Sequence, residues 1–391
     1  MGRTVVTGMG IQAPQIQSIN DFEHVLEKGI CTHSILHDHG PNHSSIVAGQ
    51  ITQEPLNERA YKRYPRSSRL AMAAVDEALR QADIKNIDPS RIAVIMGTSL
   101  GSLLEIEQNC DAAKDFRMFP CHGVVLADSH TLSSSVAMYT GAKGHVHTIT
   151  TGCASSSDAI LMGKLLLDSN QADLCIVGGA DASLGQWSTY GFAKLRSIAQ
   201  NTDPQETGVP FSNEHHGFVM SEGAGIITLE REDHAHKRGA HIHGIVENVY
   251  SNNEALPMLQ AEMSGDSMLA ALKGALLNHQ PSYVNSQALG LQTNDNVEKI
   301  VHQKLFGNSI PITSIKGMTG HIFGSMGVIQ VISSLISFNK NFIPPTIKTT
   351  GTGYEDLPIV YEPKYQSINS VAITTHGNGG NNTCLLMKKY E

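Results

Sequence analysis

The stretch His147–Leu167 reads HTITTGCASSSDAILMGKLLL and carries the strongest structural signal in the chain. A β-branched run leads to a glycine and Cys153, and small residues then open a helical segment, so the order predicts a strand, a tight turn and a helix. Backbone N–H groups and the positive dipole end at a helix N-terminus favour a thiolate. The small residues leave room for an incoming chain. We therefore predict that Cys153 is a reactive nucleophile.

Strand patterns repeat on both sides of this stretch. Short β-rich runs lie at residues 4–8, 91–97, 172–179 and 224–230, and residues 67–82 show the spacing of an amphipathic helix. A second series starts near residue 241 with a strand, a helix around residues 268–276, a helix at 328–338 and a final strand pair within 370–389. The pattern predicts a duplicated α/β layer structure whose halves pack as one body.

The composition restricts the function classes. The 391 residues are 40% hydrophobic and 16% charged and include 36 glycines, which is typical of a compact α/β protein. The net charge of -8 offers no basic surface for nucleic acid. The sequence has neither a signal-peptide pattern nor an apolar run of about 18 residues, so we expect a cytoplasmic protein without a membrane segment.

The cysteines and histidines give no metal signature. The six cysteines lack any CxxC pair, which argues against zinc and disulfides, and we expect most of them to be core thiols. Four histidines cluster in one polar stretch, at His33, His37, His39 and His43. Because no cysteine or carboxylate set completes a ligand geometry, a solvated loop is the favoured interpretation over a metal site. We expect neither a metal nor a bound cofactor.

Four motifs together resemble those of the β-ketoacyl-acyl-carrier-protein synthases (ketosynthases). They occur in the family's order and read TGCASSSDAI, VPFSNEHHGFVMSEGAG, SIKGMTGHIFGSMG and THGNGGNN. The resemblance implies a thiolase fold, with duplicated βαβαβ halves in five layers (αβαβα) divided as residues 1–235 and 236–391. It also implies a dimer, acyl transfer from the phosphopantetheine arm of an acyl carrier protein, and decarboxylative condensation with malonyl carrier protein.

The resemblance assigns the retained site residues. Cys153 takes the nucleophile position, Lys316 the family lysine and His321 the second catalytic histidine. The backbone N–H groups of Cys153 and Asn378 are the expected oxyanion donors. These assignments imply that acylation of the cysteine is preserved.

The sequence departs from the family at a second set of positions. Gln287 replaces the first catalytic histidine within VNSQALGLQTND, and Leu289 and Leu291 replace two threonines that bond the pantetheine arm. Outside this segment, Gln330 replaces a glutamate, Asn378 the gatekeeper phenylalanine and His376 another phenylalanine. Since glutamine cannot exchange a proton, and losing one donor to the enolate costs about 10²–10³ in rate, we expect impaired condensation. His376 is the candidate for compensation.

Three functional hypotheses remain. The first is a chain-length-factor-like subunit of a type II fatty-acid or polyketide system, forming a heterodimer with an active ketosynthase, although such partners usually lose the cysteine. The second is a stand-alone ketosynthase or acyltransferase, as a homodimer, that acylates Cys153. The third and weakest is a thioester decarboxylase.

Overall fold

The structure is a computed structural model that describes residues 2–257 and 260–391. Its strands, in chain order, are β1 Thr4–Gln12, β2 Ser34–Leu36, β3 Ile46–Gly49, β4 Ile92–Gly97, β5 Val146–Ile149, β6 Leu174–Asp181, β7 Met220–Ser221, β8 Gly223–Arg231, β9 Gly244–Asn253, β10 Tyr283–Asn285, β11 Ile312–Thr313, β12 Phe342–Ile343, β13 Lys364–Tyr365, β14 Ser370–Gly377 and β15 Asn381–Lys388. Its helices are α1 Ile19–Lys28, α2 Arg66–Ala82, α3 Leu103–Asn109, α4 Gly123–Ala127, α5 Thr131–Thr140, α6 Ser155–Asp168, α7 Gln186–Lys194, α8 Glu232–Lys237, α9 Asp266–Leu276, α10 Gln292–Phe306, α11 Lys316–Thr319 and α12 Met326–Lys340.

The main sheet shows the predicted duplication. Its strand order is β11-β10-β14-β15-β9-β1-β8-β6-β4-β5. Each half contributes five strands, which are β1, β4, β5, β6 and β8 in the first half and β9, β10, β11, β14 and β15 in the second. If the strands of each half are numbered 1 to 5 along the chain, both halves have the order 3-2-4-5-1 from the edge of the sheet to its centre. The first strands of the two halves, β1 and β9, pair with each other. Parallel and antiparallel pairings also match between the halves. The duplicated α/β prediction is confirmed, and the architecture is the thiolase fold.

Helices complete the layers. α6 and α12 contact each other and lie between the two halves of the sheet, where each touches strands of both. α2 and α5 cover the outer face of the first half, and α9 packs on the outer face of the second half beside α10. The five layers of the predicted fold are therefore present. The expected division at residues 235 and 236 falls within α8, and as a domain boundary it stays a prediction.

Close packing of α2 on β1 depends on two glycines. A Cβ atom on Gly8 would lie 2.2 Å from the carbonyl oxygen of Ala78, and one on Gly10 would lie 2.1 Å from that of Ala74. Both glycines are therefore required for the helix to reach the strand. The apolar face predicted for residues 67–82 is the face that is buried there.

α12 is a deeply buried helix next to the turn that carries Cys153. Every residue from Met326 to Phe338 is buried, which explains why its sequence is apolar without the usual alternation of faces. Within residues 2–257 and 260–391, none of the helices combines the length and the apolarity needed to cross a bilayer.

The cysteines differ from the expectation. Cys175 and Cys384 are buried, but Cys110 and Cys121 are exposed, and Cys31 and Cys153 are half-buried. The prediction that most are core thiols is wrong because residues 103–127 form short helices on the surface of the body rather than part of the core.

Candidate functional site

Cys153 lies in a tight turn between β5 and α6. The turn, Gly152–Ala154, is a short 3₁₀ helix that continues into α6. Gly152 has a φ of 64°, and a Cβ there would lie 3.0 Å from the carbonyl oxygen of Asn378. The positive φ thus favours a glycine, and the neighbouring loop leaves little room for a larger residue. The predicted order of strand, turn and helix is observed.

His321 is the nearest polar side chain to the thiol. Its Nε2 lies 3.0 Å from the Sγ of Cys153. The backbone around His321 is held by a hydrogen bond from its N–H to the carbonyl oxygen of Val219, and its ring packs edge-on against Phe218. Burial lowers the pKa of His321 well below its usual value, so the imidazole is neutral and its Nε2 can accept the thiol proton.

The charge state of Cys153 differs from the expectation. Burial, followed by the nearby carboxylate of Asp181, raises the pKa of Cys153 to about 12, while Lys316 and the N–H groups of Cys153 and Asn378 act in the opposite direction. The helix N-terminus alone would favour the thiolate, but desolvation outweighs it. The resting group is therefore a thiol that loses its proton when it attacks.

The loop after β14 approaches the cysteine closely. A Cβ on Gly377 would lie 2.6 Å from the backbone nitrogen of Cys153, so no larger residue fits there. The backbone N–H of Asn378 is directed at the sulfur and lowers the pKa of the thiol. This placement is compatible with the predicted oxyanion role of the two N–H groups, a role that stays a prediction.

Lys316 is buried beneath this cluster. Its Nζ donates to the carbonyl oxygen of Ser286 over 3.0 Å. Burial lowers the pKa of Lys316 to about 7, against the attraction of the Glu298 and Asp295 carboxylates. Gln330, which replaces the family glutamate, donates instead to the carbonyl oxygen of Asn285 over 2.9 Å.

Gln287 lines the same cavity as Cys153 and His321, as expected for a residue at the position of the family's first catalytic histidine. Its Nε2 donates to the carbonyl oxygen of His376 over 3.2 Å. Because a carbonyl oxygen can only accept, this contact determines which end of the amide faces the loop. The Oε1 of Gln287 is buried and has no hydrogen-bond partner in the part of the chain that the structure describes.

Sequence reasoning missed a carboxylate in this region. Glu298, in α10, is buried and accepts from the backbone N–H of Gln287 at 3.1 Å and from the Oγ1 of Thr374 at 2.8 Å. Its Oε1 also lies 3.5 Å from the Nε2 of His376. Burial by itself would raise the pKa of Glu298, but His376 and the hydroxyl donors lower it below its usual value. The sequence did contain a signal for it, because Glu298 follows Asp295 by three residues and so lies on the same face of a helix that comes directly after the Gln287 segment.

A second carboxylate organises the QALGL segment. Asp295 accepts from the backbone N–H groups of Phe211, Leu289 and Gly290 at 2.8, 2.9 and 3.1 Å. Burial raises the pKa of Asp295 to about 6 despite these donors. The altered segment therefore keeps an ordered backbone although its side chains differ from those of the family.

The cavity in front of Cys153 has a volume of about 500 Å³. One part of its wall is apolar, formed by Leu289 and Leu291 together with Phe192, Phe218 and Phe323. The other part carries the polar groups described above. Such a mixture suits a chain-like apolar ligand that ends in a polar reacting group.

The histidines that cluster in the sequence near the N-terminus lie in different environments. His33 is buried, whereas His37 and His39 lie on a surface loop, where His37 bonds to Ser45 and His39 to the backbone of His37. Among the described residues, no group of three or more His, Cys, Asp or Glu side chains is placed to hold a metal ion.

Comparison with known proteins extends over the whole chain. Residues 1–235 match the model of the β-ketoacyl synthase N-terminal domain, and residues 240–350 match that of the C-terminal domain. The tetracenomycin polyketide synthase ketoacyl synthase alpha subunit of Streptomyces glaucescens is 28% identical over 88% of this chain and 86% of its own length. The 3-oxoacyl-[acyl-carrier-protein] synthase 2 of Synechocystis is 29% identical over 100% and 98%.

A solved structure agrees with these relatives. The type II polyketide synthase complex AntDE:AntF, an acyl-carrier protein with its ketosynthase, superimposes with a TM-score of 0.91 at 25% identity and covers 100% of both chains. The fold, the order of the motifs and both domain matches lead to one conclusion: the chain belongs to the β-ketoacyl synthase family.

Proposed function

We propose that this protein is a ketosynthase subunit of a type II fatty-acid or polyketide system that accepts an acyl group on Cys153 and condenses poorly by itself. The observation that carries the proposal is the 3.0 Å contact between the Sγ of Cys153 and the Nε2 of His321 at the wall of a 500 Å³ cavity. A nucleophile and a base within hydrogen-bond reach are the requirement for acyl transfer to a thiol.

The acylation step follows from this geometry. The Sγ of Cys153 attacks the thioester carbonyl carbon while its proton passes to the Nε2 of His321. The carbonyl oxygen becomes an oxyanion, and the N–H groups of Cys153 and Asn378 are positioned to stabilise it. Collapse expels the donor thiolate, which takes the proton back from His321, and leaves an acyl thioester on the enzyme.

The carrier of the acyl group is proposed to be the phosphopantetheine arm of an acyl carrier protein. The AntDE:AntF structure, in which an acyl-carrier protein is bound to its ketosynthase, supports this choice by similarity. The apolar wall formed by Leu289, Leu291 and Phe218 supports an acyl chain as the cargo. The same leucines remove the hydroxyl groups that bond the arm in the family, so malonyl carrier protein is held less well.

Condensation is proposed to be slow because the family's first catalytic histidine is missing. One N–H of the Gln287 amide is bonded to the His376 carbonyl oxygen, which leaves one N–H as a donor, while Oε1 can only accept. A neutral amide cannot exchange a proton as an imidazole does, so Gln287 replaces the histidine donor only in part. The loss of one such donor corresponds to about 10²–10³ in rate.

A second ketosynthase-fold subunit is the proposed partner. β5 ends the main sheet, with β4 on one side and no strand on the other among the described residues. Large apolar side chains are exposed in the neighbouring segments, namely Phe116, Met118, Val124, Val125 and Met138. An open sheet edge beside exposed apolar groups favours association with another subunit. The relative from Streptomyces glaucescens is itself called an alpha subunit, which supports a heterodimer.

One observation favours the alternative of a stand-alone condensing enzyme. The His376 ring lines the cavity and is backed by the Glu298 carboxylate at 3.5 Å, an arrangement that can orient a proton donor. In that case His376 would perform the task of the missing histidine.

The test measures acylation and condensation separately. The isolated chain is incubated with acyl-loaded carrier protein alone, and then with malonyl-loaded carrier protein added. We expect acyl-Cys153 in the first experiment and little β-ketoacyl product in the second, with product rising when a second ketosynthase subunit from the same system is coexpressed. Rapid product formation by the isolated chain, lost in His376→Ala, would replace the partner proposal with the stand-alone enzyme.

A further inference from the structure

A second group of reactive side chains lies away from Cys153. The Nζ of Lys348 lies 3.8 Å from the Sγ of Cys31 and 3.2 Å from the Nδ1 of His33. Lys348 has a φ of 71°, a left-handed conformation that is uncommon for a residue with a side chain. None of these three residues takes part in the acylation step described above.

The hydrogen-bonding capacity of Lys348 is largely used by two carbonyl groups. Its Nζ donates to the carbonyl oxygen of Thr207 at 2.7 Å and to that of Pro204 at 3.2 Å. Carbonyl oxygens only accept, so two N–H bonds of the amine are committed to them. The remaining position on the nitrogen, a third N–H or a lone pair, faces His33 and Cys31.

The surroundings favour the neutral amine. Burial lowers the pKa of Lys348 to about 8, even though Cys31 and Asp203 act in the opposite direction. Near neutral pH a fraction of the molecules therefore has a neutral Lys348 amine with a free lone pair. Burial, together with the charge of Lys348, lowers the pKa of His33 well below its usual value. His33 is 7% exposed, its Nε2 has no partner in the described part of the chain, and its Nδ1 can accept a proton from Lys348.

Oxidants can reach this group. Cys31 is half-buried rather than enclosed, so a small peroxide has access to its sulfur. The adjoining residue, Thr32, donates from both its N–H and its Oγ1 to the carbonyl oxygen of Met318, each over 2.9 Å. The segment that carries Cys31 and His33 is therefore bonded to α11, the turn that carries Lys316.

We propose that Cys31 and Lys348 form a reversible covalent bond when the protein meets a hydroperoxide. In the first step the thiol of Cys31 reduces the peroxide, gains one oxygen as a sulfenic acid and releases the corresponding alcohol, which is water when the oxidant is hydrogen peroxide. In the second step the lone pair of the Lys348 Nζ attacks the sulfur, and the S–O bond breaks. The departing hydroxide takes one proton from the nitrogen and leaves as water, so that a sulfenamide S–N bond remains. Two equivalents of an added thiol reverse the link by reducing it to Cys31 and Lys348.

The experiment uses the full-length protein treated with hydrogen peroxide and then mapped by peptide mass spectrometry. The expected product joins the peptides that carry Cys31 and Lys348, with the summed mass less two hydrogen atoms, and dithiothreitol removes it. A link heavier by one oxygen atom would overturn the direct S–N bond. Cys31 found only as sulfinic acid, with Lys348 free, would overturn the proposal altogether.

Two variants and an internal control sharpen the result. Lys348→Arg keeps the positive charge but lacks a nucleophilic amine, so the link should disappear and the sulfinic acid of Cys31 should increase several-fold. Cys31→Ser should abolish the link. Cys121 is exposed and lies beside His122, at 3.6 Å, so it should be oxidised without a lysine link. More lysine cross-linking at Cys121 than at Cys31 would contradict the proposal, which does not depend on the function proposed above.

Discussion

The two walls of the cavity differ in how many of the family's site residues they keep. On one wall, Cys153 and His321 are in contact and each comes from a motif that matches the family. On the other wall, formed by the QALGL segment and the loop after β14, Gln287 replaces a histidine and donates one amide N–H to the backbone carbonyl oxygen of His376. Acyl transfer depends on the first wall, whereas stabilisation of an enolate needs donors from both. The difference implies that the two half-reactions of a ketosynthase can be separated in this chain.

The altered wall is nevertheless well ordered. Asp295 and Glu298 accept three hydrogen bonds from backbone N–H groups of the QALGL segment, and two more from the Phe211 N–H and the Thr374 hydroxyl tie them to neighbouring elements. Buried carboxylates would be costly without these donors. The substitutions have therefore changed the chemistry offered by this wall and not its fold.

The largest expected effect concerns the retained wall. Cys153→Ala removes the nucleophile, so formation of the acyl-enzyme should fall by ~10³-fold or more, as measured by intact mass spectrometry after incubation with acyl-loaded carrier protein. Cys121→Ala, which removes an exposed thiol, is the control and should acylate at the wild-type rate. Acyl groups that persist in Cys153→Ala would show that another residue is the acceptor.

The second prediction concerns pH. Since the pKa of Cys153 is raised to about 12, alkylation of this thiol by iodoacetamide should increase ~10-fold per pH unit from neutral pH to about pH 10 without a plateau. The rate is followed by peptide mapping in the folded protein. Because Cys110 and Cys121 are exposed, they should be labelled before Cys153 at neutral pH. A plateau near pH 7 would mean that the helix N-terminus lowers the pKa of Cys153 more than burial raises it.

A smaller effect is expected when the altered wall is repaired. Gln287→His should raise condensation with malonyl carrier protein by ~10-fold, which is less than the ~10²–10³ of a full donor because Leu289 and Leu291 remain. Acylation of Cys153 should stay within about twofold of the wild type. Equal gains in both half-reactions would contradict the separation of the two walls.

The smallest expected effect on acylation is at His376. His376→Phe replaces the imidazole whose Nε2 faces Glu298 with an apolar ring, so the free energy of unfolding should decrease by about 1–3 kcal/mol near pH 6 with acylation unchanged. The folded-state pKa of Glu298 is lowered, so this contribution is complete above the usual value of 4.5 and is lost as the pH falls through the folded value. Urea unfolding should therefore show a smaller difference in stability between the wild type and His376→Phe near pH 4 than near pH 6. A constant difference would indicate lost packing instead.

The sequence was sufficient for the elements and for the order of the site residues. Short β-rich runs predicted β1, β4, β6, β8 and the final strand pair, and helical spacing of apolar residues predicted α2, each to within a few residues. Their period follows from backbone geometry and is therefore local. The very short strands β10 and β11 were not predicted, since two or three buried residues carry no period.

The sequence by itself determined that a cysteine begins a helix after a strand and that a glutamine occupies a histidine position. Only the tertiary structure decided that the thiol is protonated at rest, that the nitrogen of Gln287 faces a carbonyl group, and that Glu298 backs His376. It also decided that Cys31 and Lys348, 317 residues apart, are neighbours. The reason is physical: desolvation and hydrogen-bond partners depend on chain segments that meet only in the folded protein, whereas motif order and periodicity are properties of neighbouring residues.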